Sequence, residues 1–318
     1  MSRPDRKSLQ FELLLAMNIN AVQNHHTNKD LRTDCKAFAN WAKGEGYKRL
    51  AMIDDPRALI QKYEKTLEDK GYTPSTIHRK LHAPCRALGV SMGLIEKPKR
   101  TQEAIVRGRR DRTDEAPKRG DKEATQERFG RVVTGARAIG IRRAELGRLT
   151  GSDLTRDECG FMAVKVNKGK GGKDTLQRVL PEDERAVKDL FSGVGPTEKV
   201  FSRAEMSNHI NIHGYRAEKA KRAYAYYSDR LNSEPGYRSQ LISELRQRYT
   251  TACPGRDPDR WLKKTLTTET YMLRGENKDR AIKLGLPVVY DRLALLAVSV
   301  YDLSHWRLSV TVTNYMLA

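Results

Sequence analysis

A chain can build a hydrophobic core only where large apolar side chains recur, and between Lys97 and Arg128 they do not. The stretch KPKRTQEAIVRGRRDRTDEAPKRGDKEATQER is dense in charge and poor in large apolar residues. It therefore reads as a linker with a basic arm, and it divides the chain into two lobes. A length of 318 residues leaves room for two domains of ordinary size. The expected boundaries are a helical lobe over residues 1–105, a basic linker over 106–124 and a second lobe over 125–318.

Charge narrows the choice of partner. Sixty Lys and Arg stand against forty Asp and Glu, a net charge of +20. An excess of that size makes a polyanion the leading partner, with DNA or RNA the commonest, against the plainer reading of a merely soluble basic protein. A basic arm between two lobes would let them close around a duplex; a tether with no contact role is the simpler alternative. Cys35, Cys85, Cys159 and Cys253 are scattered without a CxxC pair. That argues against a disulfide framework or a zinc site and fits a reducing interior. The apolar stretch at the N-terminus is too short and interrupted for a signal peptide, and no run of about 18 apolar residues offers a membrane span. A soluble intracellular protein bound to nucleic acid is the expectation.

Periodicity makes the first lobe a set of short helices. Leu31, Cys35, Phe38 and Trp41 recur at helical spacing until KGEGY. In DDPRALIQKYEKTLEDKG an Asp cap and Pro56 open a helix with a stripe of Leu59, Ile60, Tyr63 and Leu67, closed by Gly71. Thr73 and Pro74 open another, with Ile77, Leu81, Cys85 and Leu88 inward. Its outer residues include His78, Arg79, Lys80, His82 and Arg86, either a solvated face or one that follows phosphates. In the second lobe a helix is expected from Glu127 to about Leu149. A β-hairpin follows, with Met162, Val164 and Val166 alternating ahead of the turn at Gly169–Gly172. The remainder is helical in tendency. The fold class is mainly α with a small β-sheet in the second lobe.

Four places set cationic or imidazole groups beside sharp structural punctuation: GIRRAEL (Gly140–Leu146), KGKGGK (Lys168–Lys173), HGYR (His213–Arg216) and the terminal SHWRLSVTVTNY. Each alone has an ordinary explanation. GxRxxEL is a helical Arg–Glu pair, KGKGGK a solvated turn, HxxR a surface pair, and a tyrosine near the terminus packing. Their order and spacing together resemble the tyrosine recombinase, or phage-type integrase, family. Ten residues separate His305 from Tyr315, an interval that family shares. The helical first half is similar to the family's SAM-like core-binding domain, with the linker where the family places one. The second lobe then resembles its mixed α+β catalytic domain.

By that resemblance Tyr315 is the nucleophile, Arg142 the first arginine with Arg143 as the less favoured neighbour, and Glu145 the acidic residue three positions on. Lys170 is the hairpin lysine, with Lys168 as a rival, His213 and Arg216 form the HxxR box, and His305 takes the His-or-Trp position. Arg79, Lys80, Arg86, Arg107, Arg109 and Arg110 are the expected DNA contacts. The residue types suit phosphodiester cleavage without a metal. Two arginine forks hold the non-bridging oxygens and stabilise the pentacoordinate transition state. A tyrosine hydroxyl, with a pKa of about 10 in water, needs help losing its proton. The field of the clamp favours phenolate, and His213 serves as base or orienting group. The lysine would protonate the leaving 5′-oxygen, and His305 would bond the scissile phosphate.

The resemblance implies a covalent 3′-phosphotyrosine intermediate, strand exchange needing neither metal nor cofactor, and double-stranded DNA recombination sites as partners. It also implies a homotetramer on synapsed DNA, accessory DNA-bending proteins as further partners, no membrane, and a cytoplasmic, nucleoid-associated place in a bacterial or phage context. A type IB topoisomerase-like enzyme and a non-catalytic DNA-binding protein that has kept the fold are the competing functions. Four departures stand out. Ala217 follows the HxxR arginine where the family often has histidine, and Ser304 replaces the usual glycine before His305. Between Arg216 and His305 lie residues 231–285, an apparent insertion that is either a DNA- or partner-contacting subdomain or a packing elaboration. Only three residues follow Tyr315, whereas many relatives dock a longer helix into a neighbouring subunit.

Overall fold

Side-chain caps mark where several helices of this chain begin, and the Asp55 cap lies where the sequence puts one, whereas Thr73 makes no cap bond. The structure is a computed structural model that describes residues 8–99, 122–169, 172–206 and 210–318. The chain divides into two compact units, Met1–Asp111 and Arg112–Ala318.

The described residues of the first unit form helices and no strand. Its helices are α1 (Leu9–Ala16), α2 (His25–Gly44), α3 (Pro56–Asp69) and α4 (Pro74–Ala87). The Ser8 hydroxyl accepts from Phe11 N–H, the Asn24 amide oxygen from Thr27 N–H, and the Asp55 carboxylate from Ala58 N–H. Pro56 and Pro74 sit in the first turns, where a missing N–H costs nothing. The expected stripes face one another: Leu31, Cys35 and Phe38 of α2, Leu59, Ile60, Tyr63 and Leu67 of α3, and Ile77, Leu81 and Cys85 of α4 share one core. Trp41 closes it against Tyr63, ring centroids 4.9 Å apart.

In the second unit the single helix expected over Glu127–Leu149 is two. Helix α5 (Lys122–Ile139) stops at Gly140, whose φ of +70° is left-handed, and a one-turn helix α6 (Arg143–Leu146) resumes after Arg142. Glycine suits that conformation without a Cβ penalty, and here a Cβ would also lie 2.6 Å from Lys219 Cδ. The break turns the Arg142 backbone extended.

The hairpin forms as expected and gains a third strand. Strands β1 (Leu154–Arg156), β2 (Met162–Val166) and β3 (Thr175–Arg178) make an antiparallel sheet in that order, with Leu154 opposite Val164 and Val166 opposite Thr175. Helix α7 (Glu184–Phe191) follows, and α5, the sheet and α7 share one core with Ile212 and Tyr215. Those two residues open α8 (Ile212–Ser233), capped by the Asn211 side chain on Gly214 N–H at 3.1 Å. Farther along, Ala217, Ala220, Ala223 and Tyr227 of α8 belong to a second core.

The stretch 231–285 holds α9 (Tyr237–Ala252), α10 (Pro258–Thr265), β4 (Thr270–Met272) and α11 (Gly275–Lys283). Helix α9 buries Tyr237, Leu241 and Leu245 in the second core, so this part of the stretch is packing. Strand β4 pairs with β5 (Val289–Asp291), a ribbon lying in sequence read as helical in tendency. Short runs of Thr, Tyr and Val favour an extended chain once a partner strand is supplied. Helix α12 (Arg292–Ala297) runs into a π turn over Val298–Asp302, and α13 (Leu308–Thr311) runs into another over Val312–Met316. The β-branched SVTVT between His305 and Tyr315 is thus helical, its Thr311 and Val312 buried.

Candidate active site

Helix α8 carries His213 and Arg216 one turn apart, so both lie on one face. Arg216 is 1% exposed, and its guanidinium donates in three directions. Nη1 reaches the Gly140 carbonyl at 2.6 Å, Nη2 the Leu303 carbonyl at 2.7 Å, and Nε the Tyr315 hydroxyl at 3.2 Å. One side chain therefore joins the break before Arg142, the loop before His305 and the tyrosine. Burial pushes the guanidinium below its ordinary pKa, as does the charge of Arg142, while Tyr315 and Glu145 act against them. Even so, an arginine stays cationic at any accessible pH.

The Tyr315 hydroxyl meets a second group, His305 Nε2, at 2.8 Å. With the Arg216 N–H donated to the phenol oxygen, the single phenol proton points to Nε2 whenever that nitrogen is unprotonated. The His213 ring stands 5.5 Å from the Tyr315 ring, centroid to centroid. His305 Nε2 thus bonds the phenol, and the His213 ring lies beside it. Tyr315 itself is buried, and Lys221 Nζ on α8 donates to the Ala318 carbonyl at 2.8 Å.

The loop holding His305 is strained on both sides. Ser304 has φ +51° and Trp306 φ +59°. A left-handed Trp is an outlier that persists only where its surroundings dictate it. The Ser299 carbonyl accepts from His305 N–H at 2.8 Å and the Ser299 hydroxyl from Arg307 N–H at 2.9 Å. The Ser304 hydroxyl donates to Gln177 of β3 at 3.3 Å. Ser304 thus adopts the conformation that a glycine would adopt at no cost.

Arg142 and Glu145 form a closed pair. Glu145 accepts from Arg142 N–H and from Arg142 Nη1, each at 2.8 Å, with Arg142 one-third exposed and Glu145 nearly buried. Burial pushes the Glu145 carboxyl up, but the two Arg142 hydrogen bonds and the charges of Arg142 and Arg216 outweigh it and hold the carboxyl below the usual range. The neighbouring Arg143 turns elsewhere, bonding the Ile210 carbonyl.

The hairpin turn comes up against this pair. A Cβ on Gly169 would lie 3.3 Å from Glu145 Oε1, and the Lys168 carbonyl accepts from Arg148 at 3.0 Å. Lys168 has φ +49° and lines a cleft with Glu145, Arg148, Asp153 and Lys199. Lys170 lies outside the described residues, as do Arg107, Arg109 and Arg110. In the first unit, Arg79 pairs with buried Asp34, and Lys80 Nζ stands 3.8 Å from the same carboxylate. Arg86 is exposed. Among the described residues no group of His, Cys, Asp and Glu is placed to hold a metal ion, and no helix is long and apolar enough to cross a membrane.

Two features escaped sequence reasoning. One is a buried ion pair, Lys219 Nζ to Asp302 Oδ1 at 3.2 Å, one turn along α8 from Arg216 and one residue before Leu303. The other is an aromatic cluster around Trp306: its ring lies 5.4 Å from that of Trp261 and 5.7 Å from that of Tyr249. Lysine on a helix otherwise facing a core was the only signal for the first. The second carried none, because its members are far apart in sequence.

No protein-family model matches the chain, and no curated protein matches it. Among solved structures, the crystal structure of XerA recombinase is similar to it with 17% identical residues and a TM-score of 0.24, the match covering 78% of this chain and 99% of that one.

Proposed function

We propose that this protein is a site-specific DNA recombinase of the tyrosine type, cutting and rejoining strands through a 3′-phosphotyrosine intermediate. The observation that carries the reading is the convergence on one phenol oxygen of Arg216 Nε and His305 Nε2, from residues 99 and 10 positions away. A structural tyrosine is adequately held by one partner. A buried arginine and an imidazole on the same hydroxyl are the groups a nucleophile needs to be aimed and to lose its proton.

In the proposed reaction the Tyr315 oxygen attacks phosphorus and its proton passes to His305. The bond from phosphorus to the 5′-oxygen breaks, and that oxygen takes a proton from the hairpin lysine, Lys170 or Lys168. The approach of Gly169 to Glu145 supports a hairpin that delivers such a lysine. Arg142 and Arg216 balance the extra charge on the non-bridging oxygens. Attack by a free 5′-hydroxyl on the phosphotyrosine reverses every step, so no energy source is consumed. His213, beside the tyrosine ring, orients phenol and phosphate.

The same reading takes the first unit as a SAM-like core-binding domain using Arg79, Lys80 and Arg86, with Arg107, Arg109 and Arg110 as the basic arm. The working form is a homotetramer on two recombination sites of double-stranded DNA in a bacterial or phage cytoplasm, assisted by DNA-bending proteins. The reaction integrates or excises a mobile element.

A duplex nicked beside the cleavage point loses its short 5′-hydroxyl strand after cutting and traps the adduct. The expected product is a protein–DNA band that survives denaturation and disappears in Tyr315→Phe. A band that persists in Tyr315→Phe moves the nucleophile elsewhere. No band with any duplex from the flanks of the gene removes the recombinase reading.

A further inference from the structure

The residues between α8 and His305 do more than fill space beside the second core. Tyr249 of α9 and Trp261 of α10 are stacked, ring centroids 4.4 Å apart and planes 12° from parallel. Trp306 stands edge-on to both, at 62° to Trp261 and 70° to Tyr249. Such edge-to-face contacts are favourable beyond the area they bury and fix ring orientation. They therefore supply what the left-handed backbone at Trp306 lacks, a reason to stay there. His305 is the adjoining residue, and its ring direction depends on that backbone.

A second contact grips the far end of the same stretch. Asn277 Nδ2 of α11 donates to Thr313 Oγ1 at 3.3 Å, two residues before Tyr315 and within the same π turn. The stretch thus touches both sides of the His305–Tyr315 bond without supplying a group to it.

We propose that residues 231–285 are a positioning scaffold, and that Trp306, clamped by Tyr249 and Trp261, is the positioning residue that aims the His305 imidazole at the Tyr315 hydroxyl. Its consequence for cleavage rests on the recombinase reading; its consequence for the His305–Tyr315 bond does not. A displacement near 1 Å at a reacting group costs on the order of a hundredfold in rate, so a clamp this close to the nucleophile governs turnover rather than DNA binding.

The test uses the full chain labelled with ¹⁵N-histidine, the His305 imidazole being assigned from His305→Gln. In the otherwise unchanged protein, Tyr315→Phe should shift the His305 Nε2 resonance. In Trp306→Ala and in Trp261→Leu that response should vanish, and in Trp306→Phe, which keeps an edge-on ring, it should return. With the nicked duplex, Trp306→Ala should lower the single-turnover cleavage rate at saturating DNA by about tenfold or more, with the half-saturating DNA concentration unchanged within about twofold.

A Tyr315→Phe response that persists in Trp306→Ala, once the near-ultraviolet signature of the aromatic cluster is gone, overturns the proposal. So does a rate loss that Trp306→Phe fails to restore. If Trp306→Ala does not fold, Trp261→Leu decides by the same readout, since it removes the nearer of the two clamping rings and leaves Trp306 in place. If the unaltered protein forms no adduct, the recombinase reading fails, and the resonance response alone upholds or overturns the positioning role.

Discussion

Arg216 cannot be replaced by another cation. Its planar fork reaches two carbonyls and a phenol at once, whereas a lysine ammonium offers one compact charge. In Arg216→Lys the Gly140 and Leu303 carbonyls lose donors inside a closed core, and adduct formation should fall by about 10²–10³-fold, as when one fixed transition-state donor is removed. Retention of more than about a third of the rate, by quenched-flow or gel assay, would place Arg216 outside the reaction. Glu145 gives the residue scale its pH dependence. Its carboxyl is held below the usual range by Arg142 and Arg216, against the opposing effect of burial. A depressed native pKa means stability that is fully present above the unfolded value, about 4.3, and lost as pH falls through the native one. The difference in urea stability between the natural chain and Glu145→Gln should therefore be constant from about pH 5.5 to 7.5 and shrink below about pH 4. The resemblance singled out His213, Arg216, His305 and Tyr315, and the fold brings Arg216 and His305 onto the Tyr315 hydroxyl with the His213 ring beside it. That His305 Nε2 meets the phenol was not legible, because it depends on two left-handed backbones at Ser304 and Trp306.

At the scale of elements, the sequence showed helices by their apolar spacing and missed where a helix must break. Apolar residues continue in phase from Val132 through Leu149, so periodicity alone predicts one helix; Gly140, left-handed over the Lys219 side chain, makes it two. The ribbon of β4 and β5 was illegible for a related reason. Three residues per strand carry no periodicity, and each becomes a strand only beside the other. The Lys219–Asp302 pair binds α8 to the π turn ahead of His305 with both side chains fully buried. Burial pushes the Asp302 carboxyl up and the Lys219 ammonium down, each opposed by the other's charge. Removing one partner strands the other, so Lys219→Met and Asp302→Leu should each cost about 3–5 kcal/mol. The double variant should recover most of that loss, since replacing a buried ion pair by apolar side chains is often close to neutral. Equilibrium urea unfolding of the four chains measures the coupling, and additive losses would mean that the two side chains do not depend on each other. The sign at the lone carboxyl is also fixed. A raised native pKa loses stability as pH rises, so Lys219→Met should be worst in alkaline buffer.

For the whole molecule, a charge of +20 bears on DNA only through the cations that face solvent. Many are already engaged. In the second unit Arg178 pairs with Asp157 and Glu244, and Arg248 with Asp157 and Glu158, inside the fold. In the first unit Asp34 takes both Arg79 and Lys80, and the three together carry one net positive charge where the sequence suggested two. Exposed Arg86, on the same helix, has no such partner among the ion pairs of the described residues. Counterion release then ranks the variants. The logarithm of affinity for a duplex falls with the logarithm of salt in proportion to the phosphates neutralised, and six to ten contacts lose about 10³–10⁵ between 50 and 200 mM. A loss of that order is expected for the full chain, measured by fluorescence anisotropy on a duplex without a recombination site. A loss below about tenfold would mean that the excess charge does not face phosphate. Arg86→Ala should reduce the slope by about 1. Arg79→Ala should weaken binding at every salt concentration by more than its lost contact, because it also leaves the buried Asp34 carboxylate with Lys80 alone to answer it.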